Sequence, residues 1–225
     1  MDHRSEVVET LLQNRCLLLP LFRRVFAYEP DAAFVAVLAG DEATGALDLV
    51  ATDENDLASL AGFLRTLPTG DGTGAFVDAA RTEYTKLFIG PQKALAPFWE
   101  SVYLDPRELL FLASTADVKR RYEAEGFRVN AEGHEAEDSI ALQLDFLACL
   151  TQRTLDAFRS GDAAEYARLL DVQLTFERDH MLDWLPAFAA RALQAPSALL
   201  YPALCAGVAS FTATDAALLE ELIAA

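Results

Sequence analysis

The sequence predicts an all-helical protein, a single globular bundle of helices around a long central helix. Its 225 residues include 40 Ala and 36 Leu, the best helix formers, against only 15 Val and Ile, which strands prefer. Hydrophobic residues make up 52% of the chain, so a core can form without disulfide or metal support. We expect one domain over residues 1–225.

Apolar residues recur at helical spacing from the N-terminus onward. They predict a first helix over 5–28, kinked at Pro20 because proline removes an intrahelical hydrogen bond. A short helix is expected over 32–38, followed by a loop at 40–45. Asp53 has the side chain of an N-cap, so the next helix should begin there and end near residue 67.

Glycine and proline mark the middle of the chain. The segment 68–74 is expected to be a flexible connector, and the helix over 75–89 should end at Gly90-Pro91. Glycine closes helices in a left-handed conformation, and proline cannot continue them. Residues 95–106 are rich in aromatic side chains and proline, which predicts irregular structure or a single helical turn.

The C-terminal half should contain the central helix. After a helix over 115–125 and a second connector near 127–136, either Asp138 or Ser139 caps a helix that reaches residue 160. Its apolar residues wrap more than one face, which indicates packing on several sides. Further helices are predicted over 162–180 and 183–194, with two more beginning at Ser197 and Asp215.

The formal charge of −17 comes from 18 basic and 35 acidic residues. This charge disfavours nucleic acids and anionic membranes as partners and favours a basic ligand, although an acidic surface can also serve solubility alone. The uncharged stretch 192–214 contains two prolines and is expected to be a buried helix, with no integral membrane segment. The polar N-terminus and three scattered cysteines, each expected to be a small buried residue, predict a cytoplasmic location.

Signatures of catalysis are weak. The glycines of 68–74 are not followed by Gly-Lys-Ser/Thr, and no Gly-x-Ser-x-Gly elbow occurs. A di-iron bundle needs two Glu-x-x-His motifs, and the chain has one, Glu177 to His180. We therefore expect no cofactor, no metal site and no enzymatic activity.

One segment is more specific than the rest. Tyr84, Leu87 and Phe88 share a helix face before Gly90-Pro91. The chain then reads Ala96-Pro97-Phe98-Trp99-Glu100-Ser101-Val102-Tyr103-Leu104-Asp105. These aromatic residues could be ordinary core, or the loop could present Trp99 and Tyr103 beside an apolar groove.

This segment closely resembles the signature of the TorD/DmsD family of redox-enzyme maturation chaperones. The family pattern is an aromatic residue, two residues, Leu-Phe-x-Gly-Pro, and then Ala-Pro-x-Trp-x-Ser-Val-Tyr-Leu-Asp. Weaker matches follow in family order at 121–126, 135–140 and 176–188. The chain departs from the pattern in three places: Glu100 replaces Gly, Ala136 replaces Pro and Ser139 replaces His.

The resemblance implies a TorD/DmsD-like fold and a cytoplasmic chaperone rather than an enzyme. Such a chaperone binds the twin-arginine leader (signal peptide) and the apoprotein of a molybdenum-cofactor oxidoreductase, assists cofactor insertion and delays export. Two alternatives stay open: a NarJ-like chaperone for a non-exported molybdoenzyme and, less favoured, a helical-bundle metalloenzyme. The protein is expected to be a monomer or a homodimer.

The resemblance also assigns roles to residues. Gly90, Pro91 and Asp105 would be structural, and Asp138 would either take a leader arginine or cap the central helix. The expected leader-binding residues are Tyr84, Leu87, Phe88, Pro97, Trp99, Ser101, Tyr103, Glu135, Asp138, His180 and Trp184.

Overall fold

The computed structural model describes residues 3–90, 93–129 and 135–224. These residues form eleven α-helices, one π-helical turn and no strand, which confirms the all-helical prediction. The elements are α1 (His3–Ala27), α2 (Ala32–Ala39), α3 (Asp41–Leu49), α4 (Leu57–Leu64), α5 (Thr73–Tyr84), the π-turn (Thr85–Ile89), α6 (Glu100–Leu104), α7 (Ala113–Ala124), α8 (Ile140–Ser160), α9 (Ala163–His180), α10 (Leu185–Leu193) and α11 (Tyr201–Ala224).

Helix α8 is the expected central helix. It packs mainly against α1 and α9, and Leu144, Phe146 and Leu147 on it are fully buried. Ser139 caps it, since the Ser139 hydroxyl oxygen accepts a hydrogen bond from the backbone N–H of Leu142. Of the two predicted caps, Ser139 is therefore the one used.

The N-terminal half differs from the prediction in two places. Residues 40–45 are not a loop: Gly40 ends α2 in an extended conformation, and α3 begins at once with two acidic residues in its first turn, where they favour the helix dipole. Asp53 does not begin α4. The side-chain oxygen of Asn55 accepts from the backbone N–H of Leu57, so the helix starts there instead.

The C-terminal half ends in one helix, α11, where two were predicted. Its start is not set by Ser197. The Glu83 carboxylate, which reaches across from α5, accepts hydrogen bonds of 2.8–2.9 Å from the Ser197 hydroxyl and from the backbone N–H groups of Leu199, Leu200 and Tyr201. Asp215 does not begin a helix either. It lies inside α11 because its carboxylate pairs with buried Arg15.

Helix α11 is the one described helix that is long and apolar enough to cross a membrane, and 56% of its most apolar window is buried within the fold. It crosses α4 closely at Gly207, where an added Cβ would lie 2.4 Å from a methyl carbon of Leu60. Among the cysteines, Cys205 is buried and Cys16 half-buried, but Cys149 is exposed, so the expectation of a buried residue is wrong there.

Candidate functional site

An open groove of about 500 Å³ lies where the expected site segment folds back on the helices. One wall is formed by the end of α5 and the π-turn, the other by the chain from residue 93 to 110, and the end of α1 contributes to the floor. The lining residues are Phe26, Ala27, Tyr84, Phe88, Ile89, Lys93, Ala94, Pro97, Phe98, Trp99, Val102, Glu108, Leu110 and Glu135.

The first wall is fixed by the way α5 ends. The helix widens into a π-turn that Gly90 closes at a φ of +65°, and the Gly90 N–H donates to the Thr85 carbonyl over 2.6 Å. Glycine reaches this φ without the cost that a Cβ would add. The Tyr84 hydroxyl donates to the Phe26 carbonyl over 2.9 Å, which ties the wall to α1.

The second wall is pinned to the start of α8. Trp99 and Ser139 form an isolated antiparallel bridge, in which the Ile140 N–H donates to the Phe98 carbonyl over 2.9 Å. Asp138 adds a cap for the short helix α6, because its carboxylate accepts from the Ser101 N–H over 2.8 Å. The bridge and the cap hold Trp99 in place, and both lie outside the groove.

Aromatic rings form much of the groove surface. Phe88 contacts Phe98 and Tyr84 with ring centroids 5.6 and 5.1 Å apart, and Phe98 contacts half-buried Trp99 at 4.6 Å. The indole nitrogen of Trp99 is buried and has no hydrogen-bond acceptor among the described residues. Ile89 is 56% exposed at the rim. The groove therefore offers apolar area, beside a buried indole N–H that has no acceptor among the described residues.

The free charge at the groove is negative. Lys93 is paired with Glu108, whereas the carboxylate of half-buried Glu135 has no ion pair or hydrogen bond with any described residue. Burial, together with smaller contributions from the negative charges of Glu135 and Glu29, raises the pKa of Tyr84 to about 12. An unpaired carboxylate beside an apolar surface suits a ligand that combines a cation with an apolar segment.

The structure brings five of the expected leader-binding residues together in the groove: Tyr84, Phe88, Pro97, Trp99 and Glu135. The others lie elsewhere. Tyr103 packs behind the second wall, and those that are buried in the interior are Leu87, Ser101, Asp138, His180 and Trp184. None of these side chains lines the groove, so they can only support it from behind.

Two of the three residues expected to be structural, Gly90 and Asp105, shape turns of the chain. Gly90 closes the π-turn, and the Asp105 carboxylate accepts from the Arg107 backbone and side chain, which shapes the turn after α6. Pro91 lies outside the described residues. Asp138 does not cap α8, as one alternative expected; it caps α6, which neither alternative considered.

Sequence reasoning missed part of the groove. Phe26 comes from α1 and Leu110 from the chain after α6, and both are brought in by tertiary packing that no local pattern reveals. The exposure of Ile89 could have been predicted from the sequence. Gly90 ends the helix, so no following helical turn covers the apolar side chain directly before it. Glu108 and Lys93 pair with each other at the rim.

The single Glu-x-x-His motif does not form a shared site. Glu177 lies beside Arg15 and Asp215, whereas His180 contacts Glu100 and Asp117. Within the described parts of the chain, no group of three or more His, Cys, Asp or Glu side chains is arranged to hold a metal ion.

Comparison with known proteins matches residues 48–190 to the family model described as nitrate reductase delta subunit. The chain is 33% identical over 141 residues to the Chaperone protein TorD of Vibrio cholerae, which covers 63% of this chain and 62% of that protein. It is 30% and 31% identical to the TorD chaperones of Aliivibrio salmonicida and Photobacterium profundum, over 47–48% of each chain.

These matches thus span less than two thirds of the relatives' own length. The family model nevertheless covers well over half of this chain and includes both walls of the groove. The chain therefore belongs to the nitrate reductase delta subunit family, and it is similar to proteins named Chaperone protein TorD.

Proposed function

We propose that this protein is a cytoplasmic chaperone that binds the twin-arginine leader and the apoprotein of a molybdenum-cofactor oxidoreductase. By holding the apoprotein before export, it assists cofactor insertion and delays translocation. It catalyses no reaction itself. Family membership supports the general role of a redox-enzyme maturation chaperone.

The observation that carries the proposal is an aromatic groove beside the carboxylate of Glu135, which has no ion pair or hydrogen bond with any described residue. A leader offers the complementary pair, arginines followed by an apolar run. A hydrogen bond from arginine to a carboxylate contributes about 1.5–3 kcal/mol. Apolar area buried in the groove adds about 25 cal/mol per Å².

A second depression beside Glu135 has charges of both signs. It contains Asp145 and Tyr28 together with Arg23 and Arg128. Asp145 is paired with Arg23 over 2.9 Å, and both side chains are about one-third exposed, so a leader arginine could compete for this carboxylate. Two carboxylates along one surface path suit two successive arginines, and the net charge of −17 attracts them from solution.

Calorimetry with synthetic leader peptides tests the proposal. We expect binding at low salt that weakens at high salt, because contacts between exposed charges are screened over about 8 Å at physiological ionic strength. Glu135→Gln should weaken binding about tenfold, the loss of about 1.4 kcal/mol. Glu220→Gln is the matched control, since Glu220 is an exposed carboxylate on α11. Failure of every molybdoenzyme leader from the source organism to bind would refute the proposal.

The matching family model favours one second candidate, a chaperone for a nitrate reductase that is not exported, because its description names nitrate reductase and no leader peptide. In that case the groove would bind an N-terminus without an arginine pair. A peptide in which both arginines are replaced by alanine distinguishes the two. Undiminished binding of that peptide would favour the second candidate.

A further inference from the structure

His180 connects three helices at the back of the second groove wall. It ends α9 and is 4% exposed. Its Nδ1 lies 3.1 Å from a carboxylate oxygen of Glu100, and its Nε2 lies 2.9 Å from a carboxylate oxygen of Asp117. A neutral imidazole has one N–H, so only the doubly protonated ring can donate to both carboxylates.

On the Glu100 side, the neighbouring groups are a neutral amide and a further carboxylate. The positive charge between Glu100 and Asp117 therefore comes from His180. From α8, the side-chain amide of Gln143 donates to the second oxygen of Glu100 over 2.7 Å and to the backbone carbonyl of His180 over 3.1 Å. From the segment before α8, the carboxylate of Asp138 adds negative charge near Glu100.

Further charges lie on the α7 side. Asp117 is also paired with Arg120 and Arg121, and Arg121 in turn pairs with Asp179 at the end of α9. Trp184 closes the site from the other direction, because its indole N–H donates to the His180 carbonyl over 2.7 Å. Asp117 therefore has other cationic partners, whereas within the described residues the only cationic partner of Glu100 is His180.

Glu100 is directly linked to the groove. It is the first residue of α6 and follows Trp99, which lines the groove. Its side chain is 1% exposed and lies on the far side of the wall from the groove. Glu100 also stands where the family pattern has glycine, which has no side chain to reach a histidine.

We propose that His180 and Glu100 are positioning residues that hold the Trp99 wall of the groove, and that leader binding weakens as His180 loses its second proton. This inference rests on the proposed function and adds a regulation to the same groove. When the ring is neutral, one of its two nitrogens loses its hydrogen, and a buried carboxylate loses its donor.

The pKa directions support this sequence of events. Burial alone would lower the pKa of His180, but the hydrogen bonds and charges of Glu100 and Asp117 outweigh burial and raise it. Burial also raises the pKa of Glu100, against the effect of His180. Both pKa shifts indicate that the pair of His180 and Glu100 retains a proton. Because each ring nitrogen of His180 faces a carboxylate, this proton lies on the imidazole. The stabilisation is thus complete below about pH 6.5, the ordinary histidine value, and is lost as pH rises through the raised pKa.

Leader affinity measured by calorimetry from pH 6 to 9 tests the proposal, with an acetylated leader peptide that contains no histidine. We expect the affinity of the unmodified protein to fall about tenfold across the range, or about 1.4 kcal/mol. His180→Gln should bind with a flat pH profile, and Glu100→Gln should flatten it as well. His3→Gln is the control and should keep the slope. A slope retained in both His180→Gln and Glu100→Gln would overturn the inference.

A second readout separates this inference from the proposed function. The His180 ring proton signal in an NMR titration, assigned by its absence in His180→Gln, gives the midpoint without any ligand. The indole signal of Trp99, assigned with Trp99→Phe, should shift with the same midpoint. If no leader binds at any pH, the proposed function fails, while a shared midpoint still supports the positioning role. An indole signal of Trp99 that does not respond would refute that role.

Discussion

Two buried carboxylates in this fold have opposite surroundings. Glu83 in α5 is 3% exposed and accepts four hydrogen bonds at the start of α11. Glu177 in α9 is 1% exposed, and neither of its oxygens has a hydrogen-bond donor within the described residues. The first carboxylate is therefore solvated by protein N–H groups, whereas the second is not.

The difference lies in what replaces the water that each buried acid loses on folding. Backbone N–H groups at a helix start replace water around Glu83. Around Glu177, burial raises the pKa well above its usual value, and the charge of Asp215 raises it more than Arg15 lowers it. Arg15 donates to Asp215 over 2.7 and 2.9 Å but gives no hydrogen bond to Glu177, and its Nη1 has no acceptor among the described residues. Burial and the charge of Asp215 thus favour the protonated form of Glu177.

Loss of the Glu83 cap should have the largest effect. Glu83→Ala leaves several buried N–H groups without an acceptor, and we expect it to lower the free energy of unfolding by about 3 kcal/mol. Urea unfolding followed by circular dichroism measures the change. Asp78→Ala in the same helix is the control, because the Asp78 side chain is 81% exposed and its removal should cost little. Equal stability of Glu83→Ala and the control would show that this cap does not fix α11.

Replacing Glu177 should stabilise the protein, whereas replacing Glu83 should destabilise it. Above about pH 4.3 the unfolded chain releases this proton while the folded protein keeps it, so the stability of the protein falls as pH rises. Glu177→Gln removes the titrating group and keeps the shape. We expect it to be more stable at pH 8 by about 1 kcal/mol, or about 2–4 °C in Tm, and to lose that advantage near pH 4. A Glu177→Gln protein that is less stable at pH 8 would mean that the charged form is required.

The surroundings of the Asp138 carboxylate are intermediate between those of Glu83 and Glu177. Its replacement should have the smallest effect on stability. One of its oxygens accepts from the Ser101 N–H, and the other has no partner in the described structure. Asn can keep the first hydrogen bond, so Asp138→Asn should change stability and leader affinity by less than about 1 kcal/mol. A tenfold loss of affinity with unchanged stability would instead place Asp138 in contact with a leader arginine.

These acids also mark the limit of what the sequence could predict. Helix formation follows local periodicity, so the central helix and its Ser139 cap were predictable. Glu83 and Asp138 cap helices that lie 117 and 37 residues away along the chain, and no local pattern reveals such a partner. For the same reason α11 was predicted to start at Ser197 and to break at Asp215.

The groove was predictable to a similar extent. The family motif located Trp99 and Tyr84, because their spacing is conserved in the pattern itself. It could not distinguish residues that face the groove from those that support it, such as His180 and Ser101. That distinction depends on burial, which arises only after α6, α8 and α9 have packed together.

The central claim is that the leader binds in this groove, and one pair of variants tests it most directly. Ile89 lines the groove and is 56% exposed, whereas Val37 on α2 is 54% exposed and does not line it, so neither replacement should disturb the core. Leader affinity should fall about tenfold in Ile89→Gln, because about 1–2 kcal/mol of apolar contact is lost, and stay unchanged in Val37→Gln. Equal affinities of the two variants would contradict the account.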